Sequence, residues 1–182
     1  MNKRKFLTHS EVMSLLQEAR KGTNSIRNYC MVLMCYFHGL RVSELISLRI
    51  SDIDIDNKKI FIPRLKNGFS TVHPLQKSEL KAIQEWLSER EKHYVSSDFL
   101  FTSSKRGKIT RQLFHHIIKK LGTNAGLSLS VHPHMLRHAC GYALADKGKD
   151  TRLIQDYLGH RSIHHTVLYT ASNSARFSSI KF

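Results

Sequence analysis

The segment ISDIDIDNKKIFIPRLKNGFSTVHPL (residues 50–75) is where the spacing of apolar residues changes, and it decides the fold class. Ile53 and Ile55 alternate with aspartates. Ile60, Phe61 and Ile62 follow Asn57-Lys58-Lys59, and Ser70 to Leu75 follow a second break at Lys66-Asn67-Gly68. Alternation bounded by turn residues predicts three short strands joined by tight turns, with Asn67-Gly68 a favoured turn dipeptide. The sheet is small, because the pattern on either side is helical.

Upstream, Thr8-His-Ser-Glu11 has the form of a capping box and precedes Val12, Leu15, Leu16 and Ala19, which predicts a helix over 9–21 ended by Gly22. Ile26, Tyr29, Cys30, Leu33, Met34 and Phe37 predict a second helix over 25–38, stopped by Gly39. A short helix over 42–48 leads into the strands. Downstream, a helix starts at Ser78 with Leu80, Ile83, Trp86 and Leu87 on one face. Further helices are predicted over 110–121, 134–147, 151–158 and 163–171. Residues 172–182 form a polar tail whose Phe177 and Phe182 suit docking on a neighbouring molecule. With no internal repeat, linker or low-complexity stretch, the expectation is one mainly α domain over 1–182, with its core at 8–171 and one small three-stranded antiparallel sheet.

The chain has 182 residues, 41% of them hydrophobic and 24% charged, enough to build a core without disulfides or metals. Lys and Arg number 29 against 14 Asp and Glu, a formal charge of +15. Such a field attracts a polyanion. A basic surface with no specific partner, or a membrane surface, is the competing reading. Nucleic acid is favoured because the charges spread along the whole chain instead of gathering on one amphipathic helix. No apolar run is long enough to span a bilayer and MNKRKFLTHSEV lacks an apolar signal core, so a cytoplasmic location on the nucleoid, with no membrane partner, is expected. Cys30, Cys35 and Cys140 lie in apolar helical stretches without a CxxC pair and read as buried thiols.

Three constellations carry chemistry. In His132-Pro-His-Met-Leu-Arg-His138, Pro133 suits a first helical turn, and the helix period puts His134, Arg137 and His138 on one side. A helix N-terminus favours a phosphate there. The alternatives are a surface histidine cluster or a zinc site, the latter weakened by the missing HExxH glutamate and by the charge of Arg137. In Leu158-Gly159-His160 to Tyr169, Gly159 ends one helix and Tyr169 lies on the next, where a tyrosine is ordinarily a packed core residue. In Gly39-Leu-Arg41-Val-Ser-Glu44, Arg41 opens a helix three residues before Glu44, a pattern equally consistent with a weak surface ion pair.

Taken together and in order, Gly-Leu-Arg41-Val-Ser-Glu44-Leu, His134-Met-Leu-Arg137-His138, Leu-Gly-His160 and Tyr169 resemble the motif set of the tyrosine recombinases, or phage-integrase family. Thr151-Arg-Leu-Ile-Gln-Asp-Tyr-Leu-Gly-His160 resembles the family's approach to its second histidine. Lys66 fits the lysine that the family places in a β-hairpin between the first arginine and the His-x-x-Arg box. The resemblance runs from residue 8 to about 171 and implies a tyrosine-recombinase catalytic domain. No counterpart of the N-terminal DNA-clamping domain that most members carry is expected. In this the chain looks like the short bacterial recombinases that invert fimbrial promoter segments.

The resemblance implies that Tyr169 is the nucleophile of a 3′-phosphotyrosine intermediate, with Arg41 and Arg137 clamping the phosphate and His160 adding a hydrogen bond. His134 takes the tyrosine proton or orders the network, and Lys66 protonates the departing 5′ oxygen. Glu44 supports Arg41. Planar guanidinium forks suit the non-bridging oxygens of a phosphate. No cofactor and no metal are expected, since the phosphotyrosine bond conserves the energy needed for rejoining. The implied partners are double-stranded DNA with inverted-repeat sites, other copies of the chain in a tetramer on that DNA, and DNA-bending accessory proteins. Affinity is expected from phosphate contacts that include Lys105, Arg106, Lys108 and Arg111. The rival readings are a catalytically silent DNA-binding regulator of the same fold and a type IB-like topoisomerase, with a zinc nuclease more distant.

Overall fold

The computed structural model describes residues 4–64, 69–93 and 96–171, together with Asn173 and Phe177. Helices α1 (His9–Ala19), α2 (Ser25–Phe37) and α3 (Val42–Leu45) precede a sheet of β1 (Ile53–Asp54), β2 (Lys59–Ile62) and β3 (Thr71–Pro74). Then follow α4 (Lys77–Lys92), α5 (Arg111–Asn124), α6 (Pro133–Asp146), α7 (Thr151–Leu158) and α8 (His164–Ala171). The sheet is antiparallel in the order β1-β2-β3, with Ile53 opposite Ile60 and Ile60 opposite His73. The mainly helical fold with its small sheet is the one expected. The Asn67-Gly68 turn lies outside the described residues.

Local chemistry sets the helix starts. The Thr8 N–H donates to Glu11 Oε2 at 2.8 Å and the Glu11 N–H to Thr8 Oγ1 at 3.3 Å, so the capping box forms. Thr110 and Asp150 accept from the N–H groups of Leu113 (3.1 Å) and Leu153 (2.9 Å). Several expected ends move. α1 stops at Ala19, two residues short of 21. α5 runs on to Asn124, past Gly122, where a Cβ would lie 2.6 Å from Val131 Cγ2, so that glycine serves close packing. α3 also ends early, at Leu45 instead of 48.

α2 is the central helix, with Cys30 through Cys35 all buried and with α1, α4 and α6 packed around it. The three cysteines are buried and unpaired, as expected. α6, α7 and α8 pack on one another at one side of α2, and β3 reaches α7. Two left-handed glycines, Gly39 (φ +56) and Gly159 (φ +66), turn the chain sharply where α2 and α7 end. A Cβ on Gly39 would strike the side chain of Leu158, so these two turns abut. Among the described residues no helix is long and apolar enough to cross a membrane.

Candidate active site

The abutting glycine turns place Arg41 and His160 side by side, and Arg137 stitches the turns together. Arg137 lies on the second turn of α6, 1% exposed, and its two terminal nitrogens donate to the carbonyls of Gly39 and of Leu158, the latter at 2.8 Å. A guanidinium has five N–H donors. Two of the five are spent on these carbonyls, and the guanidinium still lines the cavity described below. Beneath lies Glu44, fully buried, which receives Arg41 Nη1 at 2.7 Å, Arg64 Nη1 at 2.9 Å and the Arg41 N–H at 2.8 Å, with Arg137 Nη1 3.9 Å away. Burial raises the Glu44 pKa, but Arg64, the Arg41 N–H and Arg137 outweigh it and hold the carboxyl below its ordinary range. Glu44 therefore orients three arginines, where the sequence pointed to one.

Arg41, His134, Arg137, His138, His160 and Tyr169 line one cavity of about 320 Å³, joined by Arg161 and His165. Their origins span residues 41 to 169: the residue that caps α3, then α6, the turn after α7, and α8. His160 has its Nδ1 at 2.8 Å from Thr166 Oγ1, which leaves Nε2 for a ligand. The Tyr169 ring is 1% exposed and lies against Gly141; a Cβ there would sit 2.6 Å from the ring's Cζ. Its hydroxyl is 2.9 Å from His138 Nδ1. The sequence reading gave His134 the tyrosine proton or the ordering of the network, and the histidine in direct contact with the phenol is His138. His134 instead packs edge-on against the His138 ring, centroids 4.7 Å apart.

The cavity is charged for an anion. Burial first, then Arg137 and Arg41, push His160 down to about 3, and burial with His134 and Arg137 pushes His138 to about 4. His134 is lowered by burial and by Arg137. Arg137, lowered mainly by burial and by Arg41, still holds its proton with a pKa of about 10. Burial raises Tyr169 to about 12 against the pull of Arg137. These histidines are thus neutral near pH 7, because burial disfavours their charged forms and the neighbouring cations add to that. A bound phosphate would offset those cations and let the histidines take up protons.

Of the other expected site residues, those that the structure describes lie elsewhere. Lys66 is outside the described residues. Lys105, Arg106 and Lys108 sit on an exposed turn closed by an antiparallel bridge between Thr102 and Lys108, and Arg111 opens α5; none lines the cavity. Lys108 is partly engaged, its Nζ 3.1 Å from Ser47 Oγ and 4.5 Å from the Phe99 ring centroid. Two residues close to the site escaped the motif reading. His138 was in the box but held no role. Arg64 continues the inward alternation of Ile60 and Ile62, and that period of two was the signal that could have found it.

The sequence model of the phage integrase family matches residues 5–176, nearly the whole chain. The chain belongs to that family, the tyrosine recombinases. It is 58% identical over 179 residues to the type 1 fimbriae regulatory protein FimB of Escherichia coli (strain K12), covering 98% of this chain and 90% of that one. To the type 1 fimbriae regulatory protein FimE of the same strain it is 50% identical over 182 residues, covering 99% and 92%. The crystal structure of XerA recombinase superposes with a TM-score of 0.84 at 30% identity, covering 94% of this chain and 62% of that one. The chain thus spans about three-fifths of the XerA chain.

Proposed function

We propose that this protein is a site-specific DNA recombinase that inverts a promoter segment and so switches fimbrial gene expression. The observation that carries the chemistry is the single cavity into which Arg41, Arg137, His160 and Tyr169 converge. The fimbrial assignment rests on the extent of the likeness to FimB and FimE.

A backbone phosphate enters the cavity. Arg41 and Arg137 hold its non-bridging oxygens, and His160 Nε2 adds a hydrogen bond. The Tyr169 oxygen attacks phosphorus and gives its proton to His138, with His134 ordering the histidine pair. The bond to the 5′ oxygen breaks as that oxygen takes a proton from Lys66. The 3′ end stays joined to tyrosine until a 5′ hydroxyl from the partner duplex attacks the phosphotyrosine, reversing the proton movements. No step needs a metal ion or a nucleotide, because the arginines supply the positive charge and the phosphotyrosine stores the bond energy. Lys105, Arg106, Lys108 and Arg111 bind flanking phosphates. The working unit is one catalytic domain per chain, four chains on two inverted-repeat sites, with DNA-bending proteins assisting.

A plasmid carrying two inverted sites, incubated with the protein in excess EDTA, tests this. Inversion of the intervening segment is expected. Relaxation without inversion would identify a topoisomerase, and stable binding with neither would identify a silent regulator.

A further inference from the structure

The alternation of β2 brings a charge to a position where the core would take an apolar side chain. Ile60 and Ile62 point inward and are fully buried, and the next inward residue is Arg64, whose side chain is fully buried as well. Its Nη1 donates to Glu44 Oε2 at 2.9 Å and its Nη2 to the Tyr157 carbonyl at 2.6 Å. Its stem runs under Gly159, where a Cβ would approach Nε to 2.9 Å, and Nε is buried without a partner among the described residues. Stability does not explain the choice. Desolvating a guanidinium is costly, and an apolar side chain would extend the row of Ile60 and Ile62 more cheaply. Nor does Arg64 line the cavity.

The bonds at Glu44 show what this arginine does. Oε1 receives Arg41 Nη1 at 2.7 Å, while Oε2 receives the Arg41 N–H at 2.8 Å and Arg64 Nη1 at 2.9 Å. A carboxylate oxygen offers about two lone-pair sites, so those two donors fill Oε2. Arg137 Nη1 faces the same oxygen but stands off at 3.9 Å, beyond hydrogen-bonding distance, and donates to the Gly39 carbonyl. Without Arg64, Arg137 is the cation placed to take the vacated site. At its other end Arg64 holds the Tyr157 carbonyl, next to the Leu158 carbonyl that Arg137 itself holds and just before the turn that presents His160.

We infer that Arg64 is a positioning residue for the phosphate clamp: it occupies the Glu44 oxygen that Arg137 would otherwise pair with and anchors the turn of His160, so that both groups face the cavity. It acts through them and not on the seat of Tyr169, which rests on Gly141 and on the bond to His138. The inference rests on the reading of Arg41 and Arg137 as the groups that hold the non-bridging oxygens.

The test is single-turnover cleavage of two suicide duplexes, one with the ordinary scissile phosphate and one with a methylphosphonate there. A methyl group in place of a non-bridging oxygen removes the negative charge, so the neutral linkage tolerates a disordered clamp. For Arg64→Met, with folding checked by circular dichroism, cleavage of the phosphate duplex is expected to slow by roughly tenfold or more. The methylphosphonate duplex should be cut within about threefold of the parent's rate on that duplex. Arg41→Ala, run alongside, should show the same pattern, whereas a loss of packing would slow both duplexes alike. Should Arg64→Met fail to fold, Arg64→Lys takes its place. Its ammonium can serve Glu44 or the Tyr157 carbonyl but lacks the fork that holds both, so a smaller slowing confined to the phosphate duplex is expected. Equal slowing of both duplexes, or none, in the folded Arg64 variant while Arg41→Ala is rescued would overturn the positioning role alone. An Arg41→Ala protein that the methylphosphonate does not rescue would overturn the clamp and the inference built on it, and a parent protein that cuts neither duplex would overturn the recombinase reading itself.

Discussion

Replacing Gly141 with alanine puts a methyl group where the Tyr169 ring now lies. The added carbon would sit 2.6 Å from Cζ and 2.7 Å from both Cε atoms, about 1 Å inside normal carbon contact. Gly141 is within α6, so the alanine itself gains about 1 kcal/mol of helix propensity. Against this stand an overpacking cost of about 1–3 kcal/mol and the loss of the 2.9 Å bond to His138, about 1 kcal/mol, since a ring that retreats by 1 Å breaks it. The net effect is a destabilisation of about 1–3 kcal/mol, a fall in Tm of about 2–4 °C for each kcal/mol in a protein of this size. The chemical effect should be larger. A nucleophile displaced by about 1 Å loses about a hundredfold in rate. Thermal unfolding and covalent capture on a suicide duplex measure the two effects separately. DNA binding should change little, because Arg41 and Arg137 are untouched. A Gly141→Ala protein that is more stable than the parent and cleaves at the parent rate would refute the seating of Tyr169 on α6.

The buried histidines make the fold acid-sensitive. His73, whose pKa burial, His38 and Arg64 hold at about 3, is neutral when folded and titrates normally when unfolded, so stability is complete above about pH 6.5 and declines as pH falls toward 3. By pH 5 the loss from His73 alone is about 2 kcal/mol, and His138 and His160 act in the same direction. Urea midpoints at pH 7.5 and 5 should differ, and less so in His73→Val; equal midpoints would contradict the burial of these rings. Glu44→Gln leaves three arginines facing a neutral amide and should cost about 3–5 kcal/mol in denaturant unfolding. A loss below 1 kcal/mol would show that the carboxylate does not hold the cluster. Arg106→Ala, on the exposed turn, should reduce the salt dependence of DNA binding by about 0.9 in the log–log slope. Lys108→Ala should reduce it by less, since that ammonium is already shared with Ser47 and Phe99. Equal slopes for both variants and the parent would place the DNA elsewhere.

Local features were legible in the sequence wherever one stretch of chain determines them. The cap at Thr8, the stops at Gly39 and Gly159, the proline start of α6 and the alternation of β2 depend on neighbours within a few residues, and all can be read directly. Arg41, Arg137, His160 and Tyr169 could be named from their motifs, but their meeting in one cavity depends on packing between helices far apart in sequence. Glu44 looked like half of a surface pair because its i+3 partner is local, whereas Arg64 and Arg137 reach it from 20 and 93 residues away, as the numbering gives. The helix expected over 110–121 runs on to Asn124, and the nearness of Gly122 to Val131 is a tertiary fact that the local pattern does not carry. The His138–Tyr169 bond was hidden for the same reason: the spacing of the His-x-x-Arg-His box gives both histidines the same helix face, and only the approach of α8 separates their roles.

The most direct measurement is a covalent trap. The protein is incubated with a nicked duplex bearing its recombination site, the adduct is isolated and digested, and the modified peptide is sequenced. Phosphotyrosine-linked DNA at Tyr169, absent from Tyr169→Phe although that variant still binds the duplex, is the result expected. An adduct on another residue, or an undiminished adduct in Tyr169→Phe, would contradict the assignment of the nucleophile and with it the mechanism.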